Sequence, residues 1–369
     1  MLRQGKPVSD LCLYLGDNIP ARILSHKLPD IPQGYDFDAF TTDALLNRMT
    51  VKDGRIVLPD GVSYRMMILP IDGTLTDEAR QQIDAFKRQG VPVYDPQTDN
   101  RSLAEAIHEA GLQPDVEAPS VPNLYFCHRR TADEDIYFLN NHSDETVSNC
   151  FRFNAIGTSA ELWHPVTGKR TPLIAINEAG RTVLDLTMAP RESYFIIISR
   201  AKDSETAVPA PLSPAISLSE RLSAFTVTFD PAMGGPEEPM TFDTVGDWTK
   251  HSDPRIRYFS GTTVAKSTFK VTKPDKQTTY KLDIPLLNTT AEVIVNGQSV
   301  GILWCAPYSI DITRFVKKGS NQLELRLCNS LWNRLVGDAN LPEPERITWQ
   351  THPLAKPTDP LVPSGLAGK

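Results

Sequence analysis

The segment "CNSLWNRLVGD", residues 328–338, brings together an indole, two carboxamides, a guanidinium group and a carboxylate. An aromatic face can cover the C–H bonds of a pyranose, while amides and charged groups bind its hydroxyls. This combination predicts a carbohydrate-binding surface, to which other tryptophans of the same region would contribute. The predicted binding residues are Trp248, Trp304, Trp332, Asn333, Arg334 and Asp338.

The same residues also fit a purely structural role. Trp304 and Trp332 flank strand-like runs, so their rings could equally fill the interior of a β-structure. Arg334 and Asp338 could pair with each other across a loop. The sequence alone leaves both interpretations open.

Hydrolysis of a glycosidic bond generally requires two carboxylates on opposite sides of the bond. Acidic clusters occur in "ADEDI", residues 132–136, at Glu237 with Glu238, and at Glu343 with Glu345. All three lie in turn-like or proline-rich polar stretches, where solvated loops are the expected structure. We therefore predict no catalytic residue.

Metal and cofactor sites are also not expected. His142 and Asp144 form one turn-like pair, which predicts turn hydrogen bonds rather than a metal site. The five cysteines are an odd number without a CxxC pair, so neither a disulfide framework nor a zinc site is predicted and most are expected in the core. We predict no bound metal and no cofactor.

Composition limits the class of partner. The chain has 369 residues, 22% of them charged, and a formal charge of −7 at pH 7. Without clusters of Lys and Arg, neither nucleic acid nor an anionic membrane is an expected partner, and a neutral ligand fits better. Apolar runs are too short to span a bilayer and the N-terminus lacks a signal-peptide pattern, so neither a membrane span nor an export signal is predicted.

The first part of the chain alternates strand and helix patterns. Apolar runs at 9–15 and 64–70 predict buried strands, and 76–89 predicts a helix with Thr76 as its N-cap and Gly90 as its stop. A short strand at "VPVY" and a helix ending at Gly111 follow. This order is typical of an α/β domain with a parallel sheet, predicted over residues 1–115.

The remainder changes character. Short aromatic and β-branched runs separated by turns predict an antiparallel β-sandwich over residues 116–204, followed by a proline-rich linker over 205–224. Strand patterns then resume with almost nothing helical between them, which predicts an all-β domain over 225–369. Within it, Asn296-Gly297 predicts a type I′ hairpin.

The last segment resembles the galactose-binding-like jelly roll that serves as a sugar-binding domain in family 2 and related glycoside hydrolases. The resemblance rests on the ordered pattern of residues 291–338, "AEVIVNGQSVGILWCAPYSIDITRFVKKGSNQLELRLCNSLWNRLVGD". It implies a jelly roll of the sugar-binding type.

More narrowly, the chain resembles the C-terminal half of family 106 glycoside hydrolases, the α-L-rhamnosidases. "HRRTADEDIYFLNN", "AELWHPVTGKRTPL" and "PSGLAG" carry this resemblance. In that family such domains follow a catalytic (β/α)8 barrel, which typically needs about 250 residues and does not fit the α/β segment here. The resemblance implies a secreted or periplasmic parent protein with the barrel upstream.

Residues 1–115 also resemble the amidotransferase-like, flavodoxin-like fold. Activity in that fold requires a nucleophilic cysteine on a strand-to-helix turn. The turn after "YRMMILP" reads "IDGTL" and has no cysteine, whereas Cys12 lies inside the first strand. This domain is therefore predicted to lack the nucleophile.

These expectations lead to two predicted functions. The first is the non-catalytic C-terminal portion of an α-L-rhamnosidase-like glycoside hydrolase, which supports the structure and binds oligo- or polysaccharide, with rhamnose as a candidate component. The second is a free-standing carbohydrate-binding protein. Saccharide binding without turnover is expected in both cases, and the sequence does not separate them.

Overall fold

The computed structural model describes the chain except residues 18–28, 73, 120, 122, 201–221, 223, 244–245, 273–277, 285–286 and 367–369. The chain divides into two compact units, Met1–Ser213 and Pro214–Lys369, called unit 1 and unit 2 below. The predicted linker, residues 205–224, lies outside the described residues except for positions 222 and 224.

Unit 1 contains seventeen strands and three helices among its described residues. The strands are β1 Lys6–Pro7, β2 Leu11–Tyr14, β3 Phe37–Phe40, β4 Thr50–Lys52, β5 Arg55–Val57, β6 Ser63–Tyr64, β7 Met66–Ile68, β8 Val93–Tyr94, β9 Val116–Glu117, β10 Leu124–Arg130, β11 Glu134–Asn141, β12 Val147–Phe153, β13 Ser159–Trp163, β14 Arg170–Leu173, β15 Ile176–Glu178, β16 Arg181–Met188 and β17 Ser193–Ser199. The helices are α1 Thr42–Asn47, α2 Asp77–Arg88 and α3 Leu103–Glu109.

Four strands of unit 1 form a parallel sheet in the order β3-β2-β7-β8. All four residues of β2 and all three of β7 are buried, because a parallel strand covered on both faces consists of apolar residues. The predicted buried strands at 9–15 and 64–70 are confirmed in shortened form. A small antiparallel sheet, β4-β5-β6, accompanies the parallel sheet.

The two longer helices of unit 1 begin at N-caps, and the cap of α2 is the predicted Thr76. The Thr76 hydroxyl accepts a hydrogen bond from the Ala79 N–H at the start of α2. Ser102 and Glu105 form a capping box at the start of α3. Gly90 follows α2 with a positive φ angle, a left-handed conformation that glycine adopts without strain.

Two antiparallel sheets complete unit 1, with strand orders β1-β10-β11-β17-β13-β14 and β15-β16-β12-β9. Alternate residues of both sheets meet in one buried cluster, to which Tyr137 and Ile196 contribute from the first sheet and Phe151 and Leu184 from the second. Strand β1 pairs with β10, so the first residues of the chain are part of this sheet. The parallel sheet and these antiparallel sheets lie in the same compact unit.

Unit 2 contains ten strands and two α-helices among its described residues. The strands are β18 Phe225–Phe229, β19 Met240–Phe242, β20 Thr262–Val271, β21 Lys281–Asp283, β22 Leu287–Asn288, β23 Thr290–Val295, β24 Gln298–Leu303, β25 Ser309–Asp311, β26 Gly319–Cys328 and β27 Gly365–Leu366. The helices are α4 Pro254–Arg257 and α5 Trp332–Ala339, and 3-10 turns cover Pro231–Met233, Trp248–Lys250 and Glu343–Glu345.

The main sheet of unit 2 is antiparallel, with six strands in the order β19-β18-β20-β26-β23-β24. The predicted hairpin at Asn296-Gly297 joins β23 to β24 and is confirmed. Both turn residues have positive φ angles, as a type I′ turn requires. Strand β26 alternates buried and exposed residues, which places one face of the sheet on the core and leaves the other outside.

The expectation of almost no helix beyond Phe225 is wrong at α5. Its apolar residues Trp332, Leu335 and Val336 recur at spacings of three and four, which is the helical period. The expectation that most cysteines are core residues is also wrong. Cys12 is buried, while Cys328, on an outward position of β26, is exposed.

Strand is the main regular structure of the chain, and the parallel sheet of unit 1 is its α/β portion. Among the described residues, no helix combines the length and apolar character needed to cross a membrane.

Candidate functional site

Helix α5 holds the polar residues of the "CNSLWNRLVGD" segment in the interior of unit 2. Asn333 is 1% exposed, and its side-chain amide donates to the Val362 carbonyl (2.7 Å) and accepts from the Val362 N–H (2.8 Å). The half-buried Trp332 donates its indole N–H to the Pro360 carbonyl (2.9 Å). These contacts attach the C-terminal segment of the chain to the helix.

Arg334 and Asp338 form a buried ion pair along the same helix. Their Nε and Oδ1 atoms are 3.0 Å apart, four residues apart in sequence. Neither atom makes an aligned hydrogen bond, so the contact is primarily electrostatic. The second oxygen of Asp338 accepts from the N–H (2.7 Å) and hydroxyl (2.6 Å) of Thr348. The predicted pairing of Arg334 with Asp338 is confirmed, but the two residues pair along a helix and not across a loop.

The three predicted tryptophans have very different exposure. Trp248 is 6% exposed and packs against Phe229, with ring centroids 5.0 Å apart, in the core beneath the sheet. Trp304, by contrast, is 59% exposed at the end of β24. The structure therefore does not place the six predicted residues on one exposed face, and Trp304 is the one whose ring is mainly open to solvent.

A row of polar side chains crosses the outer face of the six-stranded sheet of unit 2. Lys266 pairs with Glu324 (3.5 Å), Glu324 with Arg326 (2.9 Å) and Arg326 with Glu292 (3.4 Å). Glu292 accepts from the hydroxyl of Ser299 (2.8 Å). We call these five residues the outer ladder; they occupy β20, β26, β23 and β24 in turn.

The outer ladder ends beside apolar residues on the edge strand β24. Ile302 lies opposite Glu292 in the register and is 61% exposed, while Leu303 turns into the core. Trp304 directly follows this strand, two residues after Ile302. The edge strand thus carries a hydroxyl of the outer ladder and is followed by an exposed indole, two kinds of group that saccharide-binding surfaces use.

Sequence reasoning missed the outer ladder, although its signal was present. In "AEVIV" and "NQLELRLCN" the charged residues Glu292, Glu324 and Arg326 alternate with apolar ones, which places them on the face opposite the core. Their mutual contacts depend on the register between strands, which the pattern does not give.

Unit 1 contains a second polar cluster, which is buried. The ring of His128, 2% exposed, bridges two carboxylates, with Nδ1 2.8 Å from Asp115 and Nε2 2.9 Å from Asp135. Tyr137 stacks on this ring at 3.9 Å and donates its hydroxyl proton to Asp115 (3.0 Å). Ionised carboxylates only accept hydrogen bonds, so a ring protonated on both nitrogens matches both partners.

Asp135 is the centre of this buried cluster. It is 1% exposed and accepts from His128, from Arg130 (2.5 Å) and from Arg200. Burial raises the pKa of Asp135, but the hydrogen bonds from His128 and Arg130 lower it, and the net pKa is lowered. Burial also lowers the pKa of His128, but its hydrogen bonds to the two carboxylates outweigh burial, and the net pKa is raised.

The model of glycoside hydrolase family 106, described as alpha-L-rhamnosidase, matches residues 1–101 and 95–175. A solved rhamnosidase structure from Novosphingobium sp. PP1Y aligns with 100% of this chain at 25% identity and a TM-score of 0.68. The chain is similar to the family 106 glycoside hydrolases.

One curated relative is a Formosa agariphila protein provisionally named beta-glucuronidase, which is 43% identical over 103 residues, 27% of this chain. The family 106-like chain covers 9% of that relative and 39% of the Novosphingobium rhamnosidase. It thus spans less than half the length of either protein.

The motif "HRRTADEDIYFLNN" of this family 106-like chain contributes to the buried cluster. His128, Arg130 and Asp135 all belong to it, on the hairpin of β10 and β11. The expectation that the acidic residues of "ADEDI" are solvated is therefore wrong for Asp135, which strand alternation turns inward. This carboxylate is engaged by three cations and is not open to a substrate.

The remaining acidic pairs of the family 106-like chain lie in exposed positions. Glu343 and Glu345 are exposed in a 3-10 turn. Glu237 and Glu238, also exposed, line an open cavity of about 710 Å³ together with Arg255. Two acids adjacent in sequence at a surface do not form the opposed pair that glycoside hydrolysis requires.

Unit 1 contains further groups with perturbed pKa values. Burial raises the pKa of Asp36 to about 6, with Asp38 and Asp115 adding to the shift, but Asp36 lines neither of the two described cavities. Burial raises the pKa of the Cys12 thiol well above its usual value, which keeps it protonated and unreactive. Asp144, from the turn of His142, pairs with Arg191 (2.9 Å).

The buried cluster predicts a pH dependence of stability. Because the pKa of His128 is higher in the folded state, the charged ring stabilises unit 1 fully below about pH 6.5 and loses this contribution as the pH rises through the folded value. We expect the free energy of unfolding of unit 1 to fall above about pH 6.5, as measured by urea unfolding at a series of pH values. The ionised Asp135 also stabilises unit 1, but its pKa is lowered in the folded state, so this contribution is lost only as the pH falls into the acid range.

Two histidine variants separate this cluster from general effects of pH. His128→Gln should remove the fall in stability above about pH 6.5, whereas His108→Gln, at an exposed position of α3, should retain it. Identical pH profiles for the wild type and His128→Gln would show that His128 is not charged in the folded protein.

Proposed function

We propose that this chain is a non-catalytic accessory portion of an α-L-rhamnosidase-like glycoside hydrolase and that unit 2 binds carbohydrate. The alignment of the whole chain with 39% of a rhamnosidase, at 25% identity and a TM-score of 0.68, carries the proposal. An upstream catalytic (β/α)8 barrel would then be the partner that supplies the acidic pair.

The architecture supports a division of roles. We propose that residues 1–115 form a flavodoxin-like domain of the amidotransferase type, for which the parallel sheet β3-β2-β7-β8 and the inert Cys12 are the support. We propose that residues 116–204 form a β-sandwich and residues 225–369 a jelly roll of the galactose-binding type. In this arrangement unit 1 is structural and unit 2 contacts the saccharide.

The binding surface proposed in unit 2 is the outer ladder with Trp304 at its edge. Its guanidinium, ammonium and carboxylate groups offer donors and acceptors for hydroxyls, and Trp304 offers a face for stacking. The burial of Trp248, Asn333, Arg334 and Asp338 removes them from this surface and favours structural roles for them. An oligosaccharide with L-rhamnose is the candidate ligand.

Titration with rhamnose-containing oligosaccharides tests this surface. We expect Trp304→Ala to weaken binding about fivefold, because one aromatic stacking contact contributes roughly 1 kcal/mol. Trp349→Ala is the matched control, since this indole of unit 2 is 82% exposed and lies outside the strands. Equal binding by Trp304→Ala and the wild type, measured by isothermal titration calorimetry, would reject this surface.

A further inference from the structure

Unit 1 contains an open cavity of about 470 Å³ for which the proposed function has no role. Strand β1, the hairpin of β5 and β6, and the end of β10 form its walls. Its charged lining residues are Lys6, Arg55 and Arg130, with Asp10 as the carboxylate among the described lining. Its volume falls in the range of small-molecule sites, about 300 to 1,000 Å³.

Two of the cations are direct neighbours across a strand pair. Lys6 on β1 lies opposite Arg130 on β10 in the antiparallel register. Like charges in opposite positions of a strand pair repel each other. Arg130 is compensated by Asp135, but that carboxylate is shared with His128 and Arg200. The cavity wall therefore has positive charge that a bound anion would offset.

The third cation of the cavity wall is Arg55, which is held by two neighbours that also line the cavity. Arg55 Nη2 donates to the Ser63 hydroxyl (3.2 Å) and lies 3.7 Å from Asp10, which is also 3.7 Å from Arg65. The ammonium of Lys6 lies over Gly61, 2.7 Å from where a Cβ atom would be. Burial raises the pKa of Asp10, although Arg65 and Arg55 oppose the shift.

We propose that this cavity binds a small ligand through an oxyanion group, a carboxylate or a sulfate. Guanidinium groups bind such groups with two parallel hydrogen bonds, and an ammonium adds a compact positive charge. The proposal is independent of saccharide binding by unit 2, because all the residues concerned belong to unit 1.

Calorimetric titration of the full chain with three probes tests the site. D-glucuronate and D-glucose differ in the carboxylate, and inorganic sulfate presents the oxyanion alone. We expect D-glucuronate to bind at least about tenfold more tightly than D-glucose, and Arg55→Gln and Lys6→Gln each to weaken it about tenfold. Lys52→Gln, which removes an exposed charge from the strand paired with Arg55, should bind as the wild type does.

The outcomes separate the two sources of an oxyanion. If sulfate binds and D-glucuronate does not, the cavity still binds an oxyanion, and its ligand is a free inorganic anion. Equal binding of D-glucuronate and D-glucose, absence of binding by both anions, or unchanged affinity in Arg55→Gln would overturn the proposal. Circular dichroism of each variant without ligand verifies that it is folded.

Discussion

Replacement of Asp135 by alanine should destabilise unit 1 by about 3 to 5 kcal/mol, because it leaves the buried His128 ring and two partly exposed arginines without their shared counter-charge. His128, Arg130 and Arg200 all contact this carboxylate, which is 1% exposed. Urea unfolding followed by circular dichroism measures the change in the free energy of unfolding. Hydrogen exchange of residues 124–141 assigns the change to unit 1.

Asp133→Ala is the matched control for this experiment. Asp133 lies two residues earlier, in the turn that precedes β11, and its side chain is exposed. Its replacement should change the free energy of unfolding by no more than about 0.5 kcal/mol. If Asp135→Ala and Asp133→Ala have the same small effect, the buried cluster does not stabilise the fold.

Replacement of Arg334 by alanine should destabilise unit 2 by about 3 to 5 kcal/mol. It leaves the buried Asp338 as an uncompensated charge and removes a long side chain that is itself buried. Tryptophan fluorescence during urea unfolding follows this unit, which contains four of the five tryptophans. Arg314 is an exposed arginine of the same unit and provides the control. Arg314→Ala should change the free energy of unfolding by less than about 0.5 kcal/mol.

A double variant distinguishes loss of charge balance from loss of packing. Arg334→Met with Asp338→Asn removes both charges, keeps much of the arginine volume and keeps an acceptor for Thr348. It should be more stable than Arg334→Ala. A double variant that is no more stable than the single one would show that the charge left on Asp338 is not the cause.

Local patterns predicted much of the fold. The capping residue Thr76, the buried run of β2 and the Asn296-Gly297 turn each specify a conformation through interactions within a few residues. All three are present in the structure. Helix α5 is harder to predict because it is short and buries Asn333, Arg334 and Asp338, although Trp332, Leu335 and Val336 have helical spacing.

The polar clusters depend on tertiary contacts that local patterns do not specify. Asp115 meets His128 through the packing of separate elements, and the outer ladder requires the register of four strands. Trp248 was expected at a surface because of its residue type alone. A turn that begins at Asp247 places its ring against Phe229 in the core instead.

Incubation of the purified 369-residue chain with an aryl α-L-rhamnoside tests the central claim most directly. The account predicts no release of the aryl group above the buffer rate, while the same preparation binds a rhamnose-containing oligosaccharide. Release that disappears in Glu237→Gln or Glu238→Gln would contradict it, because the chain would then contain its own catalytic carboxylates.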